Sequence, residues 1–342
     1  MKLSVQAMRG SAENTIFPYV DFMYRKLFKH MKESLGWEIE FNSRPSTKEE
    51  FGDPHGHHHT ILRFEGCKPI VIDERETSYI NPVFNEFDAW FIIKYAYRDH
   101  PDFYTCKGLG IDNDQRSEGL GGCRHEVVPW LGHAWEFGRW PTKPCKEWIS
   151  HFDNDIDLIF TGTDRVNRDT GVRRSAICHT IQRYFPPKSY IGLHAVPFSA
   201  TRNVISDHYS DLINKLLTQD YIEKLAKSRI GLSLPGLGLA CYREHEYFAQ
   251  CVPCIAPRFE IKYSDPLIPG VHYVAFDLSE PASFQAAYEQ LQNRDFYNEI
   301  SYNAWTWWNK NSNPDNPQGL LDCFIACCCQ SSSFKAFYEQ LR

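Results

Sequence analysis

Short apolar runs alternate with amphipathic segments along the chain, and this pattern predicts an α/β protein. In the first part, apolar positions recur at helical spacing over 17–35, where we predict a helix. Strands are predicted at Leu3–Ala7, Trp37–Phe41, Thr60–Phe64 and Pro69–Ile72. The stretch Asp88–Tyr97 is almost continuously apolar, which is typical of a central strand covered on both faces.

The second part alternates strand and helix patterns more regularly. Strands are predicted at Ile156–Thr161, Tyr190–Ala195, Ile230–Leu234, Val252–Ala256 and Tyr273–Phe276. Helical patterns follow at Ile205–Leu217, Tyr221–Lys227, Phe284–Gln292 and Phe296–Trp308, with a last amphipathic segment at 318–342. Strands that alternate with helices at this spacing indicate a parallel, doubly wound sheet.

The two patterns predict two Rossmann-like domains that face a cleft. We place the domains at 1–150 and 151–315, and we expect the helical segment 316–342 to close back on the N-terminal domain. A chain of 342 residues is long enough for two domains of about 150 residues each. Residues 108–126 are rich in Gly, Asp and Arg without a period, so we predict a long loop there.

Composition narrows the class of protein. Hydrophobic residues form 42% of the chain and aromatic residues 15%, enough to fill two cores, which excludes extensive disorder. The 37 basic and 43 acidic residues give a net charge of −6 without a basic stripe, which argues against a general nucleic-acid binder. Twelve cysteines, several inside apolar runs, favour a reducing compartment over a disulfide framework. The sequence contains neither a secretory signal pattern nor an apolar stretch long enough for a transmembrane helix.

Residues 228–257 carry the most specific motif of the chain. A predicted strand runs into the Pro-Gly-rich loop Pro235–Gly238, and a helix and a second buried strand follow. Such a unit binds phosphate well, because glycines let backbone N–H groups approach an anion. Arg243 and Glu246 share one face of the helix, where an Arg can hold a diphosphate and a Glu can accept ribose hydroxyls. The motif therefore predicts a nucleotide-linked ligand.

The same residues carry a family resemblance. The segment resembles the R-x-x-E-x-x-A-x-G-x-P segment in the C-terminal domain of GT-B glycosyltransferases, with Arg243-x-x-Glu246 followed by Ala249, Cys251 and Pro253. Among these enzymes it resembles the exostosin-like group most. Cys251 stands where that family commonly has Gly. The resemblance covers roughly 154–310. It implies a GT-B-like fold with an acceptor-binding domain at 1–150 and a nucleotide-sugar donor-binding domain at 151–315.

The resemblance and the motifs together define a set of candidate site residues. We predict donor binding by Gly162, Thr163, Arg165, Arg173, Arg174, Ser233, Pro235, Gly236, Tyr242, Arg243 and Glu246. Basic side chains would stabilise the departing diphosphate, while a carboxylate would deprotonate the acceptor hydroxyl. Asp73, which follows a predicted strand, is the candidate catalytic base, with Glu76, Asp88 and Glu136 as substitutes.

The implied reaction transfers a sugar from a nucleotide-sugar donor, by default a UDP-sugar, to a hydroxyl of an oligosaccharide or glycoside. We expect an inverting, metal-independent enzyme that requires no further cofactor. Its expected location is the cytoplasm of a bacterium or of a virus-infected host cell. Two alternatives stay open: a non-catalytic nucleotide- or glycan-binding protein, and a zinc-dependent hydrolase.

Two further motifs suggest a metal. Asp153-x-Asp155-x-Asp157 resembles the D-x-D motif of GT-A enzymes, but it precedes a strand where those enzymes place it after one. His55, His57, His58 and His59 would bind zinc or nickel weakly, and their spacing favours an exposed loop over a designed site. We therefore predict no metal ligand. Only the alternative of a zinc-dependent hydrolase would need this histidine cluster to bind a metal.

Overall fold

A computed structural model gives the structure of the chain. It describes residues 1–9, 18–45, 59–73, 89–93, 96–97, 126–128, 145–164, 172–194, 218–236, 243–259 and 261–341. The chain divides into two compact units. The first unit comprises Met1–Trp135, Glu260–Pro266 and Lys310–Arg342, and the second comprises Glu136–Phe259 and Leu267–Asn309. The boundary predicted at 150 and 151 lies inside the second unit.

The secondary-structure elements of the described ranges are numbered here in chain order. The strands are β1 (Lys2–Arg9), β2 (Glu38–Pro45), β3 (His59–Phe64), β4 (Ile70–Asp73), β5 (Phe91–Ile93), β6 (Ala96–Tyr97), β7 (Glu126–Val128), β8 (Ile156–Thr163), β9 (Ser189–His194), β10 (Ser228–Leu232), β11 (Cys254–Pro257), β12 (Ile261–Lys262) and β13 (Val274–Phe276). The helices are α1 (Pro18–Leu35), α2 (Arg174–Ile181), α3 (Thr218–Ala226), α4 (Arg243–Ala249), α5 (Ala282–Gln290), α6 (Arg294–Asn311), α7 (Pro317–Cys328) and α8 (Ser332–Leu341). None of these helices combines the length and the apolar character needed to cross a bilayer.

The first unit is built on a mixed six-stranded sheet of order β2-β1-β3-β4-β5-β7. Strand β3 runs antiparallel to both of its neighbours, whereas β4, β5 and β7 are mutually parallel. Helix α8 packs against this sheet through Phe334, whose ring lies edge-on to Phe64 and Phe91 at centroid distances of 5.9 and 6.1 Å. All three rings are buried, so the last helix completes the core of the first unit.

One strand prediction for the first unit is wrong in detail. The single strand predicted at Asp88–Tyr97 is two strands: β5 lies in the six-stranded sheet, and β6 pairs antiparallel with the distant β12. The apolar pattern does not reveal this division, because the pairing partner of β6 is remote in sequence. The amphipathic segment predicted at 318–342 forms two helices, α7 and α8.

The second unit contains a five-stranded sheet of order β13-β11-β10-β8-β9, and each strand is parallel to its neighbours. Counted within the unit, this is the doubly wound order 2-1-3-4-5. The predicted α/β class and the parallel sheet are therefore confirmed. Buried side chains of the strands, among them Leu158, Phe160 and Ile230, form one core with α2 and α5. The strand order reverses between β8 and β10, which is where open α/β sheets bind ligands.

Helix α4 is anchored to these two strands by a buried tyrosine. The Tyr247 hydroxyl group donates hydrogen bonds to the carbonyl oxygens of Ile159 in β8, at 3.2 Å, and Leu232 in β10, at 3.0 Å. The ring lies directly on Gly231, where a Cβ atom would come within 2.4 Å of a ring carbon. Glycine is therefore needed at this strand position for α4 to approach the sheet.

Candidate functional site

The candidate site lies where the carboxyl ends of β8 and β10 meet. The two strands pair in parallel, so Gly162 near the end of β8 lies beside the segment Ser233–Gly236 that follows β10. Helix α2 begins at Arg174 and helix α4 begins at Arg243. Both helices therefore start with an arginine near the point where the strand order reverses.

Arg174 is held in place by the loop after β10. Its Nε atom donates a hydrogen bond to the carbonyl oxygen of Pro235 at 2.9 Å, and Nη2 donates to that of Leu234 at 3.3 Å. Only 5% of the residue is exposed. A Cβ atom on Gly236 would lie 2.8 Å from Nη2, so Gly236 leaves the space that the guanidinium group occupies. The arginine is therefore fixed before any ligand arrives.

The guanidinium group of Arg243 reaches the same place. It lies over the Phe160 ring at 5.0 Å from the centroid, and that of Arg174 lies at 5.9 Å from the same ring. A Cβ atom on Gly162 would lie 2.9 Å from Nη1 of Arg243 and 3.0 Å from Nη1 of Arg174. Two guanidinium groups thus converge above Gly162, an arrangement suited to bidentate binding of phosphate groups.

Asp164 orients the start of helix α2. One carboxylate oxygen accepts a hydrogen bond from the backbone N–H of Ser175 at 3.0 Å, and the other accepts from the Ser175 hydroxyl group at 3.0 Å. Arg173 adds an ion pair at 3.3 Å. Arg174 lies between Arg173 and Ser175, which both contact Asp164. The buried Asp164 carboxylate therefore fixes the direction in which α2 presents Arg174.

We expect Asp164→Asn to lower the free energy of unfolding by about 1 kcal/mol, because the amide keeps one acceptor but loses the charge and the second acceptor. The measurement is urea unfolding of the full chain. Asp153→Asn is the matched control, since Asp153 pairs with Arg294 on the exposed surface and should matter little. Equal unfolding midpoints for Asp164→Asn and the wild type would contradict the orienting role of Asp164.

Glu246 is the third charged residue of α4 and is also buried, with 6% exposed. The Tyr221 hydroxyl group of α3 donates a hydrogen bond of 2.6 Å to its Oε2 atom. Burial, together with the negative charge of Glu246, raises the pKa of Tyr221 well above its usual value. Tyr221 therefore stays protonated and orients the Glu246 carboxylate.

Ser233 and Glu244 link the loop after β10 to helix α4. The Ser233 hydroxyl group donates a 2.9 Å hydrogen bond to Oε2 of Glu244, which is completely buried. Since the same loop accepts hydrogen bonds from Arg174, this contact fixes the position of the loop between the two arginines. Ser233 is thus placed as a support for the site rather than at the point where the guanidinium groups converge.

The structure brings together only part of the predicted donor site. Gly162, Arg174, Pro235, Gly236 and Arg243 meet at one place, whereas Arg173 pairs with Asp164 and Glu246 with Tyr221. Of the other candidates, Thr163 and Asp73 are described by their backbone alone. The following lie outside the described residues: Arg165, Tyr242, Glu76, Asp88, Glu136 and His55–His58. Asp73 is the last residue of β4 and is paired across the sheet with His59.

Sequence reasoning missed four residues that shape the site. Asp164 could have been chosen, because it directly follows strand β8 and precedes the helix that Arg174 begins. Glu244 could have been flagged as a carboxylate in the first turn of α4. Phe160 and Tyr221 carry no local signal, since their roles depend on the contacts with Arg243 and Glu246 that only the fold creates.

Of the two motifs that suggested a metal, only the aspartate motif lies wholly within the described residues. Asp153 forms an ion pair with Arg294, and Asp157 forms one with Arg229. Within the described part of the chain, no three His, Cys, Asp or Glu side chains are grouped in a way that could hold a metal ion.

Comparisons with known proteins give structural similarity without sequence similarity. No family model matches the sequence, and no curated protein matches it. HepE from Anabaena, solved with UDP-glucose, is 14% identical with a TM-score of 0.44, over 70% of this chain and 64% of HepE. An alpha-glucosyltransferase, solved with UDP-glucose and DNA containing an abasic site, is 11% identical with a TM-score of 0.45, over 92% of this chain and 97% of that protein. The C-terminal domain of the group 1 glycosyl transferase LpcC from Francisella tularensis is 13% identical with a TM-score of 0.31, over 48% of this chain and 92% of that domain. The chain therefore spans less than two thirds of the length of HepE.

Proposed function

We propose that this chain is a glycosyltransferase that takes a sugar from a nucleoside diphosphate donor. The convergence of Arg174 and Arg243 above Gly162 carries this proposal, because it lies where a parallel sheet of order 2-1-3-4-5 binds ligands. The resemblance of residues 243–253 to the nucleotide-binding segment of GT-B glycosyltransferases supports the same conclusion independently.

Transfer of the sugar leaves negative charge on the departing diphosphate. Two guanidinium groups fixed at one point stabilise that charge without rearrangement during the reaction, which is the main source of catalysis in such steps. Arg174 contributes most to this preorganisation, because two backbone carbonyl oxygens hold its guanidinium group. We therefore assign Arg174 and Arg243 to the leaving diphosphate.

Glu246 is our candidate for the ribose of the donor. A carboxylate oxygen can accept hydrogen bonds from vicinal hydroxyl groups, and Tyr221 already holds Glu246 in a single orientation. Tyr221 remains available as the donor that orients Glu246, because burial and the charge of Glu246 raise the pKa of its hydroxyl group well above the usual value. We propose a UDP-sugar as the donor, as predicted from the sequence.

The remaining assignments stay predictions. Asp73 is our candidate for the base that deprotonates an oligosaccharide or glycoside hydroxyl group in an inverting reaction, supported by its place at the end of strand β4. We expect the two arginines to replace a metal ion at the diphosphate. We place the enzyme in the cytoplasm of a bacterium or of a virus-infected host cell. The nine cysteines in the described residues are free thiols. Membership of the exostosin-like group stays part of this proposal.

A nucleotide panel tests the proposal. The full chain and its Arg243→Ala variant are heated with UDP, GDP, CMP and common UDP-sugars. At about 100 times Kd, a bound nucleotide should stabilise the wild type by roughly 2.7 kcal/mol. We expect this stabilisation with one nucleotide and its loss in Arg243→Ala. Arg183→Ala is the control, because Arg183 is exposed and stacks on Tyr184.

Two results would contradict the proposal: no nucleotide stabilises the wild type, or Arg243→Ala responds as the wild type does. Transfer is then measured as release of UDP from the UDP-sugar that binds, with oligosaccharide acceptors and the Asp73→Asn variant. Binding without transfer would favour the alternative of a non-catalytic nucleotide-binding protein. Transfer that survives in Asp73→Asn would remove Asp73 as the base.

A further inference from the structure

Two cysteines meet beside the far end of helix α4. The chain segment from Cys145 runs along the end of α4, because the Cys145 N–H donates to the carbonyl oxygen of Ala249 at 2.9 Å. The Cys145 sulfur lies 3.9 Å from Oε1 of Gln250, the residue before Cys251, and the Cys251 sulfur lies 3.9 Å from the carbonyl oxygen of Glu147. The two cysteines therefore lie on adjacent segments, and interaction with the Cys251 thiol lowers the pKa of Cys145.

The position of Cys251 is tightly determined. Its φ of 58° lies in the left-handed region that favours glycine. The Ser301 hydroxyl group donates a 2.6 Å hydrogen bond to its carbonyl oxygen, and the side chain is fully buried. This hydrogen bond and the burial hold Cys251 in place despite the strained backbone.

His151 completes the cluster. One ring nitrogen, Nε2, lies 2.8 Å from the carbonyl oxygen of Gln250 and must donate to it. The other, Nδ1, lies 3.0 Å from Nδ2 of Asn154, an amide nitrogen that also bonds two backbone carbonyl oxygens and can only donate. His151 thus joins Gln250 at the end of α4 to Asn154, beside the Cys145 thiol.

We propose that Cys145 and Cys251 form a thiol pair that a hydroperoxide oxidises to a disulfide bond. In the first step the Cys145 thiolate attacks the terminal oxygen of the hydroperoxide, so that an S–O bond forms and the O–O bond breaks; the second oxygen takes a proton and leaves as water from hydrogen peroxide, or as an alcohol from an organic hydroperoxide. In the second step the Cys251 sulfur attacks the resulting sulfenic acid, so that the S–S bond forms, the S–O bond breaks and a second water leaves. The two thiols together supply the two electrons that reduce the peroxide.

The two sulfur atoms have different roles because their surroundings differ. Cys145 is partly exposed and open to a small oxidant, whereas Cys251 is fully buried. The interaction with the Cys251 thiol and the neighbouring His151 hold the pKa of Cys145 well below that of an ordinary thiol, while the interaction with Cys145 and burial raise the pKa of Cys251. Cys145 is therefore the attacking thiolate and Cys251 the resolving thiol.

Peptide mass spectrometry tests the pair in the full chain. The reduced protein is treated with an equimolar amount of hydrogen peroxide, unfolded with excess iodoacetamide and digested. We expect one main product, in which the peptides of Cys145 and Cys251 are joined with the loss of two hydrogens and are separated by dithiothreitol. Cys145→Ser should abolish the product and leave Cys251 alkylated. Cys67→Ser is the control, since burial raises the pKa of this half-buried thiol to about 11.

A second measurement on the wild type does not depend on the folding of a variant. Iodoacetamide is added to the native protein over a range of pH, and the alkylation rates of Cys145 and Cys67 are compared. We expect Cys145 to react at least about tenfold faster at neutral pH, because its thiolate is already present there. Equal rates, a sulfenic acid that leaves Cys251 unlinked, or earlier oxidation of another cysteine would each overturn the proposal.

Discussion

Replacement of Gly231 by alanine is expected to lower the free energy of unfolding by roughly 3 kcal/mol, since overpacking a closed core costs this much. The new methyl group would lie 2.4–2.6 Å from three carbon atoms of the Tyr247 ring. The ring cannot move aside, because it is fully buried and its hydroxyl group is bonded to Ile159 and Leu232. Urea unfolding followed by tryptophan fluorescence measures the change.

A double-mutant cycle separates the clash from other effects of the alanine. Tyr247→Leu removes the ring, so Gly231→Ala should cost clearly less in that background than in the wild type. The same cost in both backgrounds would show that the loss of stability does not come from the contact with Tyr247. Alanine would then act through the strand itself.

Replacement of Gly162 by alanine should cost less stability than Gly231→Ala and have a large effect on binding. Its methyl group would meet the far ends of the Arg174 and Arg243 side chains at 2.9–3.2 Å, which give way more easily than a buried ring, although Arg174 must loosen its hydrogen bonds to the loop after β10. The shift moves both guanidinium groups off the position where they converge. We expect the Kd for the bound nucleoside diphosphate to rise about tenfold to a hundredfold, the range for weakened hydrogen bonds to charged groups.

Isothermal titration of the nucleotide found in the panel measures this change, with Gly236→Ala for comparison. A Cβ atom at Gly236 would meet Arg174 alone, at 2.8 Å from Nη2, so its effect on Kd should be smaller. Both variants should lose less stability in urea unfolding than Gly231→Ala. If Gly162→Ala bound as tightly as the wild type, the convergence of the two arginines would not be the binding site.

The sequence predicts the α/β class and most of the second sheet, because strands buried on both faces read as short apolar runs with turn residues between them. Strands β8, β9, β10 and β11 lie within two residues of their predicted starts or ends. The first sheet is less predictable. Its mixed order brings β3 between β1 and β4, and β6 pairs with β12, so its topology depends on contacts that no local period reports.

The candidate site was predictable where chemistry and local spacing coincide. Arg174 and Arg243 could be singled out because each begins a helix just after a glycine-containing loop. The convergence of these two arginines could not be predicted, since it requires the parallel pairing of β8 with β10 and the absence of a side chain at Gly162. The partner Tyr221 emerges only from packing, as does the approach of the segments that carry Cys145 and Cys251.

The return of the chain to its first unit has a consequence for the order of events during synthesis. The second unit is complete once Asn309 has been made, whereas the first unit needs residues up to Arg342. At a ribosomal rate of about 5–20 residues per second, the sheet that contains Phe64 and Phe91 waits on the order of tens of seconds for Phe334 to cover it. The half of the protein made first is therefore the last to fold, and its apolar sheet stays exposed to chaperones and aggregation until Phe334 has been made.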